Sequence, residues 1–207
     1  MRQIIFLRHG QAYNNTKRIL TGRTAGISLT DVGREQVSFV TKTLQSMNVS
    51  AVYSSPIQRT QETSKIVCEH NSLTFTTDDR LIELDMGQFT GKPYDEIFTK
   101  HGNVFLRFYN NNPEVGEYGV ETFKQVKTRI DDLLNEKIKQ HPSGNLLFVT
   151  HMDPIKTMIF STMKPSAQSL YELILGNASL SIFNEENGDV FASAINVMNE
   201  SRYSDIL

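Results

Sequence analysis

Three short apolar runs punctuate the chain: Ile4 to Leu7, Ala51 to Tyr53 and Leu146 to Val149. Each is continuous rather than alternating, which predicts strands covered on both faces, as in a parallel sheet. The stretches between them follow a different rhythm. Val120, Phe123, Val126, Ile130, Leu133, Leu134 and Ile138 recur at spacings of three and four, an amphipathic helix that His141-Pro142-Ser143-Gly144 brings to an end. A second helix is predicted from Asp31 to Met47 behind the cap Thr30, and a third from Pro56. Near the C-terminus, Ser179 to Phe183 and Val190 to Ile195 flank Asn187-Gly188-Asp189, a β-hairpin pattern. Strands alternating with helices predict an α/β fold, a three-layer α/β/α sandwich with a mostly parallel central sheet.

No repeat, low-complexity linker or composition break divides the 207 residues, so one domain over 1–207 is expected. The segment 85–119 follows the second strand–helix unit and is expected to form an inserted helical cap over a site, with Asn110 to Pro113 as a loop. Its aromatics Phe105, Phe108 and Tyr109 suit either a pocket wall or the core.

Composition narrows the function. Hydrophobic residues make up 39% and charged residues 21%, the balance of a globular protein, and a net charge of -2 leaves no electrostatic footprint for nucleic acid or a membrane surface. The lone Cys68 lies in a helical pattern, excludes a disulfide framework and reads as a buried small hydrophobe. Met1-Arg2-Gln3 runs directly into an apolar stretch too short for a signal peptide, and no stretch reaches transmembrane length, so a cytoplasmic protein is expected. In that compartment the sequons at Asn14, Asn48, Asn177 and Asn199 are chance matches.

Chemistry gathers where the strands end. The first run is followed by Arg8-His9-Gly10, the second by Ser54-Ser55-Pro56 with Arg59 beyond, and the third by Thr150-His151-Met152-Asp153-Pro154. Ser55-Pro56 and Asp153-Pro154 both read as a helix cap followed by proline in the first turn. Open α/β sheets bind ligands outside the carboxyl ends of their strands, so Arg8, His9, Arg59 and His151 are expected in one crevice with exposed helix N-termini. Two arginines and two histidines in an otherwise acidic chain suit a phosphate, whose oxygens match the guanidinium fork. His70, His101 and His141 fall near helix ends and read as structural or surface residues.

These residues also resemble the motifs of the histidine phosphatase superfamily, which includes the phosphoglycerate mutases. Leu7-Arg8-His9-Gly10 matches its defining motif, with Asn15 at the motif's asparagine; Thr21-Gly22 and Leu29-Thr30 with Gly33 match the next block. Tyr53-Ser54-Ser55-Pro56 with Arg59 and Thr63, then Arg80-Leu81 with Glu83-Leu84, Gly87 and Gly91, then Val149-Thr150-His151 follow in order, and Asn177-Ala178-Ser179 resembles a late block. The resemblance implies a phosphoglycerate mutase-like fold. It also implies His9 as nucleophile, Arg8, Arg59 and His151 as phosphoryl-holding groups, Glu83 as proton donor, and Asn15, Thr21 and Gly22 as substrate contacts, with no metal. Two departures stand out. Met152 and Asp153 follow the second histidine where the family commonly has glycine, and Gly22 to Leu29 is a residue longer than the family's pattern. Asp153 reads as a helix cap before Pro154; the alternatives are repulsion of a phosphate dianion or a metal pair with His151.

Three functions compete. The expected one is a metal-independent, cofactor-free phosphomonoesterase acting through a phosphohistidine on a small phosphorylated metabolite. The second is a phosphoglycerate mutase dependent on 2,3-bisphosphoglycerate, which the short stretch between Glu83 and His151 and the lack of adjacent arginines in it disfavour. The third is a catalytically weak phosphate-binding regulatory module, for which retention of both His9 and Glu83 has no use. The expected partner is a small phosphorylated substrate, with neither nucleic acid nor membrane, and the pattern sets no oligomeric state.

Overall fold

The first apolar run forms β1 (Arg2–Arg8), whose four central residues are fully buried, and the other two form β2 (Val49–Ser54) and β4 (Asn145–Thr150). With β3 (Phe75–Thr77), β5 (Leu180–Glu186) and β6 (Asp189–Val197) they build one sheet in the order β3-β2-β4-β1-β5-β6. The computed structural model describes residues 1–198. Pairings from β3 through β1 are parallel, and those of β5 with β1 and β6 are antiparallel. The hairpin joining β5 to β6 turns on Asn187 and Gly188, both at positive φ, as its two-residue turn requires. The sequon at Asn199 lies outside the described residues.

Helices cover both faces. They are α1 (Tyr13–Lys17), α2 (Asp31–Gln45), α3 (Gln58–Asn71), α4 (Tyr94–His101), α5 (Val104–Tyr109), α6 (Phe123–Gln140), α7 (Met152–Met163) and α8 (Ala167–Glu172). The period-2 pleat of the strands divides the core. Ile5, Leu7, Val52, Leu147 and Val149 pack with Val37 and Val40 of α2 and Val67 and Cys68 of α3. Ile4, Phe6, Leu146 and Phe148 pack on the other side with Val126, Ile130 and Leu133 of α6 and Ile155 and Met158 of α7. The result is the expected sandwich, helix layer on sheet on helix layer. Residues 85–119 fold into α4, α5 and two 3-10 turns, and Phe89, Ile97, Val104 and Phe108 join the α6–α7 core. Among the described residues no helix is long and apolar enough to cross a membrane. Cys68 is buried, and burial pushes its thiol up to about 11.

Three helix starts differ from the sequence reading. Val120 continues the apolar stripe from within a loop, because Thr122 caps Gln125 N–H and starts α6 at Phe123. Pro56 does not open α3, which begins at Gln58 after Ile57. Asp153 does not cap α7; His151 occupies the N-cap position, so Asp153 falls inside the first turn and is buried. The cap expected at Thr30 is present, its hydroxyl accepting from Gly33 N–H at 3.0 Å.

The turn after β1 and the start of α2 touch backbone to backbone. A Cβ on Gly33 would lie 2.0 Å from the Gln11 carbonyl oxygen, and one on Gly10 would lie 2.5 Å from the Gly33 carbonyl oxygen. Gly33→Ala must therefore displace the loop behind His9 and is expected to cost about 1–3 kcal/mol of stability. Urea unfolding checks this; an unchanged midpoint would mean that the loop shifts freely.

Candidate active site

Strand register brings the three termini together. Leu7 pairs with Val149, and Val149 with Ser54, so the residues that follow emerge side by side. His9 N–H donates to Thr150 O at 3.0 Å and Ser55 N–H to Val149 O at 2.9 Å, extending the ladders one step past the strands. The carbonyl of His9 accepts from Ala178 N–H at 3.1 Å and from the Asn177 side chain at 3.2 Å. The His9 backbone is thus fixed from both neighbouring strands.

His9 is 3% exposed, and its Nδ1 lies 2.7 Å from the carbonyl oxygen of Gly10. A carbonyl only accepts, so Nδ1 carries the proton and Nε2 holds the lone pair. That Nε2 accepts from Arg59 Nε at 3.2 Å. Arg59, in the first turn of α3, also donates to the Gly22 carbonyl at 2.9 Å. Arg8 donates to the Leu175 carbonyl. Neither hydrogen-bonds a carboxylate, and burial lowers both guanidinium pKa values, that of Arg59 to about 10. Both keep their charge at neutral pH.

His151 is fully buried, with its ring 5.2 Å from that of His9 and its Nε2 2.9 Å from Ser55 Oγ. Desolvation first, then the neighbouring arginines, hold both imidazoles well below the usual histidine range and therefore neutral. Arg8 Nε, Arg59 Nη1 and His151 Nδ1 are buried with no hydrogen-bond partner among the described residues. Three unspent polar nitrogens around one imidazole suit a multidentate anion such as a phosphoryl group.

Glu83 lies on the loop before the cap segment. Arg23 donates to its backbone carbonyl at 3.1 Å and ion-pairs with Glu121, which also holds Arg129. Its carboxylate accepts from Leu84 N–H at 2.9 Å. Burial, then the charge of Asp153, push its pKa up to about 7 against the opposing arginines. The expected groups Arg8, His9, Arg59, Glu83, Asn15, Thr21 and Gly22 all line one cavity of about 460 Å³, and His151 adjoins it through its contact with His9. Asn15 also caps the start of α1 by accepting from Ala12 N–H at 2.9 Å.

Several residues of the site escape the sequence reading. Ser55, read as a helix cap, instead orients His151. Asp153 accepts from Tyr109 OH at 2.5 Å, and Lys156 donates to the same hydroxyl at 3.0 Å. All three line the cavity's wall or floor and are almost wholly buried. Asp153 and His151 therefore serve different hydrogen-bond partners. Lys156 left a signal: it is the one charged residue among the apolar positions of α7 after Asp153. Of the aromatics, Phe105 and Tyr109 reach the cavity, whereas Phe108 belongs to the core. His141 caps the end of α6 and bonds Tyr53 OH, and His101 packs at a tilt against Phe89; neither lines the cavity.

The chain has relatives among known proteins. Phosphoserine phosphatase 1 of Hydrogenobacter thermophilus is 26% identical over 189 residues, spanning 90% of this chain and 88% of its own. The 2,3-bisphosphoglycerate-dependent phosphoglycerate mutase of Thermoplasma acidophilum is 25% identical over 205 residues, spanning 97% and 96%. Among solved structures, Bacillus stearothermophilus YhfR superposes with a TM-score of 0.86 at 24% identity, covering 96% of this chain and 98% of that one. Mycobacterial glucosyl-3-phosphoglycerate phosphatase in complex with VO3 gives 0.84 at 22% identity, covering 95% and 100%; both likenesses concern the fold. The family model of the histidine phosphatase superfamily (branch 1) matches residues 4–198, and the chain belongs to that superfamily.

Proposed function

We propose that the chain is a metal-independent, cofactor-free phosphomonoesterase that acts through a phosphohistidine on a small phosphorylated metabolite. One observation carries the reading: a neutral His9 with its Nε2 lone pair among buried arginines shares a cavity with a glutamate whose pKa is about 7. A binding module needs neither a nucleophile nor a proton donor, which argues against the regulatory reading.

The chemistry runs in two displacements. His9 Nε2 attacks phosphorus while the bond to the alcohol oxygen breaks, and protonated Glu83 gives that oxygen its proton. Water then attacks the phosphohistidine, Glu83 takes the water's proton, and inorganic phosphate leaves with the nitrogen–phosphorus bond broken. Arg8, Arg59 and His151 hold the phosphoryl oxygens as charge develops on them; removing one such donor costs about a hundred- to a thousand-fold in rate. The guanidinium groups supply the positive charge that a metal would otherwise bring.

The mutase reading would require further cations for a carboxylate and a second phosphate. The two that line the rest of the cavity each face a carboxylate already, Arg18 facing Asp95 in an exposed ion pair and Lys156 facing Asp153 across the Tyr109 hydroxyl. The curated relatives carry both activities in their names, and this charge distribution favours the phosphatase. A lone, buried cysteine suits a reducing, cytoplasmic setting.

Phosphorus NMR with 3-phosphoglycerate and a trace of 2,3-bisphosphoglycerate in chelator separates the enzymatic readings. Inorganic phosphate alone is expected; 2-phosphoglycerate would establish the mutase. His9→Ala is expected to abolish turnover together with an acid-labile, alkali-stable phosphoenzyme, and turnover that persists would remove His9 from the mechanism. Glu83 must carry its proton when substrate binds, so kcat/KM is expected to be high below pH about 7 and to fall as pH rises through it. In Glu83→Gln that limb should vanish, with a rate loss of about 10²–10⁴-fold. A limb unmoved in this variant would belong to another group.

A further inference from the structure

Beyond the phosphate-holding end, the cavity changes character. Ile19, Leu20, Met86, Phe105, Met152 and Ile174 line it. The Tyr94 ring stacks on Phe105 with centroids 5.6 Å apart and planes at 24°, and its hydroxyl meets that of Tyr171 at 2.9 Å. These contacts tie α4, α5 and α8 into one wall of rings and aliphatic side chains.

The cations of this region each face a carboxylate, and its remaining charges are negative. Arg18 forms an exposed ion pair with Asp95 at 3.1 Å and lies over the Tyr94 ring. Lys156 donates to Tyr109 OH and sits 4.7 Å from its ring centroid, and the same hydroxyl donates to Asp153. Asp153 and Glu172 both line the cavity, with Glu83 at its junction with the phosphate end. An alcohol portion bearing a carboxylate or a second phosphate would be desolvated against these carboxylates, and among the described residues the two cations there, Arg18 and Lys156, already face Asp95 and Asp153. An apolar one would gain by leaving water.

We infer that the cavity selects an uncharged aryl or alkyl alcohol as leaving group, making hydrophobic phosphate monoesters, rather than phosphorylated carboxylic acids or bisphosphates, the preferred substrates. This rests on the phosphatase reading. The volume, about 460 Å³, suits a ring or a chain of several carbons.

The test is a series of methyl, butyl and hexyl phosphates, whose alcohols leave with similar intrinsic ease, and the hexyl ester carrying a terminal carboxylate. p-Nitrophenyl phosphate, which needs little help from an acid, is the control for basal activity. Expected is a rise in kcat/KM of up to about fourfold per methylene, with the carboxylate-bearing ester falling well below hexyl phosphate. A flat series, or a carboxylate ester as good as hexyl phosphate, would overturn the substrate class and leave the phosphatase standing. No phosphate from any ester, the control included, would overturn both. Phe105→Ala and the more exposed Ile174→Ala should each lose on hexyl phosphate at least about threefold more than on methyl phosphate. Equal losses on the two esters would remove that residue from leaving-group recognition.

Discussion

Two guanidinium groups hydrogen-bonded to backbone carbonyls rather than to carboxylates set the chemistry of this site. Arg8 donates to Leu175 O and Arg59 to Gly22 O. A carbonyl satisfies a donor without cancelling its charge, so both cations remain electrostatically available inside a largely desolvated cavity. Burying such charge is costly, and it is maintained here because the strand ends and the first turn of α3 hold the groups rigidly. An acidic protein thereby keeps a local positive field where an anion would bind.

Burial and that field together set the titration states. Removed from water, and beside two fixed cations, a protonated imidazole is strongly disfavoured, so His9 and His151 stay neutral. The Gly10 carbonyl then chooses the tautomer of His9, leaving the Nε2 lone pair facing Arg59 Nε. Glu83 experiences the opposite balance. Burial and the Asp153 carboxylate outweigh the arginines and keep its proton near neutral pH, while Arg23, Glu121 and Arg129 anchor its loop. In the proposed mechanism these environments suit His9 as nucleophile and Glu83 as acid.

Asp153 has the largest consequences for its position. A carboxylate two residues after His151 is tolerated because Tyr109 hydrogen-bonds it and Lys156 lies beyond the same hydroxyl. The network is held between α5 and α7, two helices that both line the cavity. With Asp153 already facing the lysine, the cavity there is unwelcoming to further negative charge.

Much of this was legible in the chain. Continuous apolar runs fixed which strands are buried, because a strand covered on both faces has no polar side to alternate; Ile4 to Leu7 and Leu146 to Val149 needed no tertiary information. Arg8, His9, Arg59 and His151 were legible for the same local reason, as charged or titratable groups placed directly beyond those runs, and Glu83 through an ordered set of motifs. What only the tertiary structure decided were partners distant in sequence. Ser55 and Asp153 each have the local look of a helix cap before proline, and local pattern cannot reveal that His151 lies within hydrogen-bond reach of one and Tyr109 of the other. Lys156 likewise acquires meaning only when α5 is packed against α7. Strand identity is written in the period of the sequence, whereas a buried polar side chain is defined by the group that satisfies it, and folding alone chooses that group.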